Sequence, residues 1–216
     1  MDMNLHRAVV VGSMEDASSA LCSGSDPNVL SPQGGSLLAI AVSQQNAVLV
    51  DLLLRHGARV DLADGHGNLP ICYAAALGWL EGLRLLLAAG AHVNGQCDCG
   101  SPLSVAVVDG QNAALSLLIS AGANPDLRNA DGFTPLMLAA SNENVAAIPV
   151  LVKAGAVVDA RDRHGLTAYL HSALQGDMAT GRELLRLGAD PKALSDDGKS
   201  ALDIAAECGH SWEVAV

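Results

Sequence analysis

Short apolar blocks recur along the chain, each opened by a small polar residue or a substitute for one. They run Ser36-Leu37-Leu38, Leu69-Pro70-Ile71, Ser101-Pro102-Leu103, Thr134-Pro135-Leu136 and Thr167-Ala168-Tyr169, and Ser200-Ala201-Leu202 begins one more. Twenty-one residues after the opening residue of each of the first five stands a Gly-Ala doublet: Gly57-Ala58, Gly90-Ala91, Gly122-Ala123, Gly155-Ala156 and Gly188-Ala189. These doublets lie 33, 32, 33 and 33 residues apart, and Gly24-Ser25 extends the series by another 33 toward the N-terminus. Self-similarity at this period predicts a stack of supersecondary units in place of one globular core.

The stretch from Asn129 to Ala156 shows what each unit is made of. Gly132 suits a turn that needs positive φ. Thr134 has the chemistry of an N-cap, and Pro135 falls at the first helical position, where its missing N–H is harmless. Leu136, Ala139 and Ala140 then share one helical stripe, and the alanines are small enough for a neighbouring helix to approach closely. A second apolar run ends Val150-Leu151-Val152, and Gly155 stops it where a left-handed residue is wanted. The expected unit is therefore helix, turn, helix and a short extended finger.

This pattern resembles the ankyrin repeat family, whose consensus runs D-x-x-G-x-T-P-L-H-x-A-A, a second helix, then L-L-x-x-G-A. The resemblance covers residues 3 to 216 and holds phase across seven repeats, at approximately 1–30, 31–63, 64–95, 96–128, 129–161, 162–194 and an incomplete 195–216. It implies one all-α domain: an ankyrin-type α-solenoid of stacked helix-turn-helix repeats with short β-hairpin-like fingers. The first repeat is degenerate, with Leu5, His6 and Ala8 in the motif's Leu, His and Ala places, and is expected to act as a cap. Later repeats replace the motif histidine with Ala39, Cys72, Ser104, Met137, Leu170 and Asp203. Family members use that histidine to knit neighbouring loops, so this stack is expected to lean more on packing. Pro149 should bend or delay the fifth repeat's second helix, because it removes a backbone bond to Val145. The fourth finger, between Gly90 and Ser101, is one residue short and should have a reshaped tip.

Composition narrows the function classes. Half the residues are apolar yet only 2% are aromatic, which fits thin layers of Ala, Leu and Val and offers no deep pocket. No apolar run approaches the roughly 18 residues that span a bilayer, and the N-terminus lacks an apolar signal core. A cytoplasmic protein is the expectation, with the nucleus as the alternative. Five scattered cysteines do not suggest a disulfide framework. The net charge of −11 argues against a phosphate backbone as partner and favours a basic protein or peptide, although solubility alone also accounts for it. The last repeat stops at Trp212-Glu213-Val214-Ala215-Val216, and an exposed, unfinished repeat implies a native chain that continues.

In the ankyrin family, partners dock on the fingers and on the inner helix face. Carried over by motif position, the resemblance assigns partner contact to His66, Asp98, Asp131, His164 and Asp197 at the finger tips, and to Asn68, Phe133, Leu166 and Lys199 just before the first helices. It adds Leu77, Val108, Asp109, Asn142, Leu174 and Gln175 where those helices end. Phe133 and Leu166 stand in adjacent repeats at a place that should face solvent, which suggests an apolar centre with an aspartate rim; the alternative is that both fold down over the helix below. Trp79 reads as packing on the outer shoulder.

Chemistry is scarce. Cys97-Asp98-Cys99 with His92 is the one hint of metal, but it lacks the second ligand pair of a structural zinc site, so no metal or cofactor is expected. No spacing places a nucleophile beside a base. The reading is a non-enzymatic scaffold or adaptor, monomeric alone, that binds a partner protein or peptide and neither nucleic acid nor membrane. Two other classes stay open: the recruiting arm of a larger enzyme or ubiquitin-ligase adaptor continuing past residue 216, and a dedicated inhibitor or immunity protein for a basic target.

Overall fold

A computed structural model describes residues 3–97 and 100–213, with the side chain of Met3 excepted. Among these, thirteen helices alternate as first and second members of each repeat. The first helices are α1 (Met3–Val11), α3 (Leu37–Ser43), α5 (Pro70–Ala76), α7 (Pro102–Val108), α9 (Pro135–Ser141), α11 (Ala168–Gln175) and α13 (Ala201–Glu207). The second helices are α2 (Met14–Cys22), α4 (Ala47–Arg55), α6 (Leu80–Ala88), α8 (Asn112–Ser120), α10 (Ala147–Lys153) and α12 (Met178–Arg186).

The opening residues cap as their chemistry dictates. The hydroxyls of Ser36, Thr134, Thr167 and Ser200 accept the N–H of Ala39, Met137, Leu170 and Asp203, and Ser101 takes that of Ser104. Leu69 stands at the same place without a capping side chain, and Pro70 follows it. The first helices exit through a residue of positive φ, which is Gly12, Gly78, Gly110, Gly176 or Gly209 in five repeats but Gln45 and Glu143 in two others. Pro149 acts as the sequence predicts. The helices α4, α6, α8 and α12 begin ten residues before their Gly-Ala doublet, whereas α10 begins at Ala147, eight before Gly155. Its delayed start leaves Pro149 in the first turn, where no N–H is required.

The chain forms two compact units, Met1–Val105 and Ala106–Val216. In the first, α1, α3 and α5 pack in series as one layer and α2, α4 and α6 as the other. Leu49, Val50, Leu53, Leu83 and Leu86 are buried there, while Ala74 and Ala75 leave room for close helix approach. In the second unit α9, α11 and α13 make one layer and α8, α10 and α12 the other, around Leu115, Leu118, Ile148, Leu151 and Leu184. Trp79 is buried at the start of α6 with its ring over Gly82, the packing role its position suggests.

The fingers are closed by hydrogen bonds and carry no extended strand among the described residues. In five of them the first residue's N–H reaches the carbonyl of the fifth: Ser31 to Gly35, Asp64 to Asn68, Asn129 to Phe133, Asp162 to Leu166 and Ser195 to Lys199. The short fourth finger closes one residue earlier, with Cys97 and Gly100 exchanging N–H···O bonds of 3.0 and 2.9 Å. Asp98 and Cys99, the partner contact and the metal hint assigned to this tip, lie outside the described residues.

Neighbouring repeats are also tied by side chains, which the loss of the motif histidine did not foretell. Asn28, Asp61, Asp126 and Asp159 each stand four residues after a doublet glycine. Each accepts a backbone N–H from the following repeat, donated by Arg59, His92, Val157 and Asp190 respectively, at 2.7 to 3.3 Å.

Candidate protein-binding face

In the first unit the site is built on one buried carboxylate. Asp64 opens its finger and accepts the N–H groups of His66 and Asn68, both at 2.9 Å, while its second oxygen takes the Tyr73 hydroxyl at 2.5 Å. Burial raises the Asp64 carboxyl, but the Tyr73, Asn68 and His66 bonds together outweigh it, and the group ends below its ordinary value. Burial and the same carboxylate push Tyr73 up to about 12. This bracing leaves His66 exposed at the tip and Asn68 half-buried. Leu77, at the exit of α5, is 42% exposed.

The second unit repeats the device with a different side chain. Asp162 accepts the N–H groups of His164 and Leu166 at 2.8 and 2.9 Å, and its other oxygen accepts His171 Nε2–H at 2.9 Å. His171 Nδ1 faces the Ser141 hydroxyl at 3.4 Å, and the Phe133 ring meets the imidazole edge-on with centroids 5.1 Å apart. Burial lowers the His171 value, and it prevails over the opposing pull of Asp162. For Asp162 the balance reverses: burial raises it, yet the two backbone bonds and the imidazole hold it below the ordinary value. Neither His171 nor Asp162 was singled out from the sequence. The available signal was phase, since Tyr73 and His171 each stand four residues after the residue that opens their helix, beside an Asp at the first place of the finger.

Phe133 and Leu166 are therefore half-buried, and Phe133 is seated on His171. Among the exposed apolar residues of this unit, Val108, at 44%, and Leu174, at 37%, stand at the ends of the first helices α7 and α11. Asn142 and Gln175 are exposed where the packed helices α9 and α11 end, and Asn144 Nδ2 donates to the Val107 carbonyl, joining the end of α7 to the turn after α9. Asp109, Asp131, His164 and Asp197 are exposed, and among the described residues the three aspartates make no ion pair. The cations beside them are tied elsewhere: Arg161 to Asp196 at 2.9 Å, Lys199 to Glu207 at 2.7 Å, Arg128 to the Gly132 carbonyl, and Arg163 to the Ala130 carbonyl. The candidate residues thus divide between the units: His66, Asn68 and Leu77 in the first, and the remaining described ones in the second.

The trio Ser141, His171 and Asp162 does place a hydroxyl beside a base, contrary to the sequence reading. It is a poor nucleophile site. Ser141 is the last residue of α9, where helix carbonyls would oppose a developing oxyanion. Among the described residues no group of three or more His, Cys, Asp or Glu could hold a metal ion, and no helix is long and apolar enough to cross a membrane.

Comparison with known proteins places this geometry. The family model for ankyrin repeats matches residues 5–97 and 103–193. The chain is 34% identical to an E3 ubiquitin-protein ligase, KEG, of Arabidopsis thaliana over 145 residues, 61% of this chain and 9% of that protein. It is 33% identical to the nuclear factor NF-kappa-B p105 subunit of Gallus gallus (60% of this chain, 14% of the relative) and 32% identical to a putative palmitoyltransferase, ZDHHC13, of Danio rerio (60% and 21%). The chain therefore spans about a fifth or less of the length of these relatives. Among solved structures, the ankyrin repeat domain of Bcl-3, a member of the IkappaB family, superposes with a TM-score of 0.86 at 26% identity, covering 94% of each chain. That of human ASB11 gives 0.81 at 28% identity over 93% of this chain and 90% of that one. The 33-residue period, the paired helices, the braced fingers and these matches agree, and the chain belongs to the ankyrin repeat family.

Proposed function

We propose that this protein binds a basic partner protein or peptide on its fingers and inner helix ends, and that it works as an adaptor and not as an enzyme. Ankyrin repeats are protein-interaction modules, which supports the class of function. The observation that carries the finer reading is the contrast on the second unit. Val108 and Leu174 are exposed at the ends of α7 and α11, and Asp109, Asp131 and Asp197 make no ion pair among the described residues, while Arg161 and Lys199 are paired with Asp196 and Glu207. Apolar anchors inside an acidic rim suit a segment bearing Lys or Arg around a few apolar side chains. His66, Asn68 and Leu77 offer a further, uncharged contact set on the first unit, and the fingers need little ordering because Asp64 and Asp162 already hold them.

The test is capture of a partner from native extract, followed by affinity measurement on the captured protein. Asp131→Lys/Asp197→Lys and Val108→Ala/Leu174→Ala should each weaken binding by about tenfold or more, the first pair losing its effect at high salt. Unchanged affinity in both double variants would remove the face from consideration. We also take the protein to be a cytoplasmic monomer when alone. The similarity to an E3 ubiquitin-protein ligase favours a second reading, in which the same face recruits targets for a larger ligase.

A further inference from the structure

Asp64–Tyr73 and Asp162–His171 are the same brace built from different chemistry. In each, a finger's first carboxylate holds two finger amides with one oxygen and a side chain from the following helix with the other. A phenol at that place does not change charge in ordinary buffers; an imidazole does. The imidazole seat is closely confined, with side-chain exposures of 5% for His171 and 2% for Asp162. Its polar partners are Asp162 and Ser141, and its apolar cover is Phe133.

We propose that His171 is a proton-sensitive latch: on gaining a proton, its ring leaves this seat, releasing the 162–166 finger and unseating Phe133. The latch stands on the brace itself; its consequence for partner binding rests on the reading of this face as the docking site. With Asp162 ionised, Nε2 carries the hydrogen and Nδ1 accepts from Ser141. A second proton makes the ring a buried cation whose one anionic partner already serves two backbone amides. Removing a charge from water is costly unless the pair is fully compensated, so the charged ring gains by moving to solvent.

The surroundings offer little compensation. The helix α9 contributes no charged residue, and the Glu143 side chain lies beyond its end. From α13, Asp203 is engaged by Ser200 and Glu207 by Lys199. From α12, Glu183 is paired with Arg186, and Arg182 is exposed. The finger itself adds Arg163, which bonds the Ala130 carbonyl, and His164, which opposes a charge on His171. Burial is the largest influence at His171 and holds its value below that of a free imidazole.

Amide hydrogen exchange on the free protein tests this, with the 64–68 finger as an internal reference that cancels the intrinsic pH dependence of exchange. From about pH 7.5 to about pH 5, the protection of His164 and Leu166 relative to His66 and Asn68 should fall by about tenfold or more. His171→Tyr and His171→Gln should abolish that fall, and His164→Gln should keep it. A flat ratio, a ratio that rises on acidification, or an equal fall in the His171 variants overturns the latch. Should those variants fail to fold, the midpoint of the wild-type exchange change must coincide with the titration of the His171 ring followed by NMR; separate midpoints overturn it as well. Because no partner is present, failure of the docking reading would leave this result intact.

Discussion

At the scale of single residues, Gln45 and Glu143 stand out. They hold φ of +53° and +55° where five other repeats place glycine at the exit of the first helix. A side chain in the left-handed region costs about 1–2 kcal/mol, against which glycine loses part through its freer unfolded chain. Glu143→Gly and Gln45→Gly should each raise unfolding free energy by up to about 1 kcal/mol, read as a shift in denaturant midpoint at unchanged slope. A neutral or destabilising result would mean that these side chains make contacts worth more than the strain. The glycine rhythm was plain in the sequence because one backbone geometry recurs in every repeat. These two exceptions were not, because nothing in a single repeat distinguishes a strained residue from a turn of another type.

At the scale of elements, paired helices and their ends followed from periodicity, capping residues and Pro149, all of which act locally. What escaped were contacts that cross between repeats. Gly181, inside α12, is an example: glycine weakens a helix interior, and only the fold shows why it is there. Trp212 from the last repeat lies over it, so that a Cβ at position 181 would come within 2.8 Å of the indole, and its Nε1–H donates to the Tyr169 hydroxyl at 3.3 Å. Gly181→Ala should therefore cost about 1–3 kcal/mol in the wild-type protein yet stabilise by up to about 1 kcal/mol when Trp212→Ala is present. A double-mutant cycle without this reversal would show that the indole does not rest on α12. The same limit hid Asp162 and His171, whose partnership joins a finger, a helix and the previous repeat's Ser141 and Phe133.

At the scale of the whole molecule, the buried titrating groups set how stability responds to acid. His171 has a folded value below its unfolded one, so the unfolded chain takes up a proton first, and stability declines as pH falls below about 6.5 toward the folded value. Asp64 and Asp162 are also lowered, but as carboxyls they stabilise above about 3.8, and that contribution disappears as pH falls through their folded values. Calorimetric Tm should therefore drop in two stages, and His171→Tyr should erase the first while leaving the second. A single acid-side fall in the wild type would remove His171 from the account. The proposed docking face is the part that sequence conveyed least. The repeat pattern states which positions are open to solvent, but exposure, ion pairing and the division of the residues between two units depend on what each side chain meets in its neighbours.

The ties between successive fingers are unequal in what they demand. The accepting side chain is Asp or Asn in all four, whereas the donor is a bare main-chain N–H, supplied here by residues as unlike as Arg59, His92, Val157 and Asp190. Nineteen of the twenty amino acids can fill the donor place, and proline, which lacks the hydrogen, cannot. Prolines do occur one residue later, at Pro27, Pro125 and Pro191, and none stands at the donor position itself. Such a joint lets exposed finger chemistry vary freely from repeat to repeat while the coupling between repeats stays the same, so a new binding specificity can arise without renegotiating the frame that displays it.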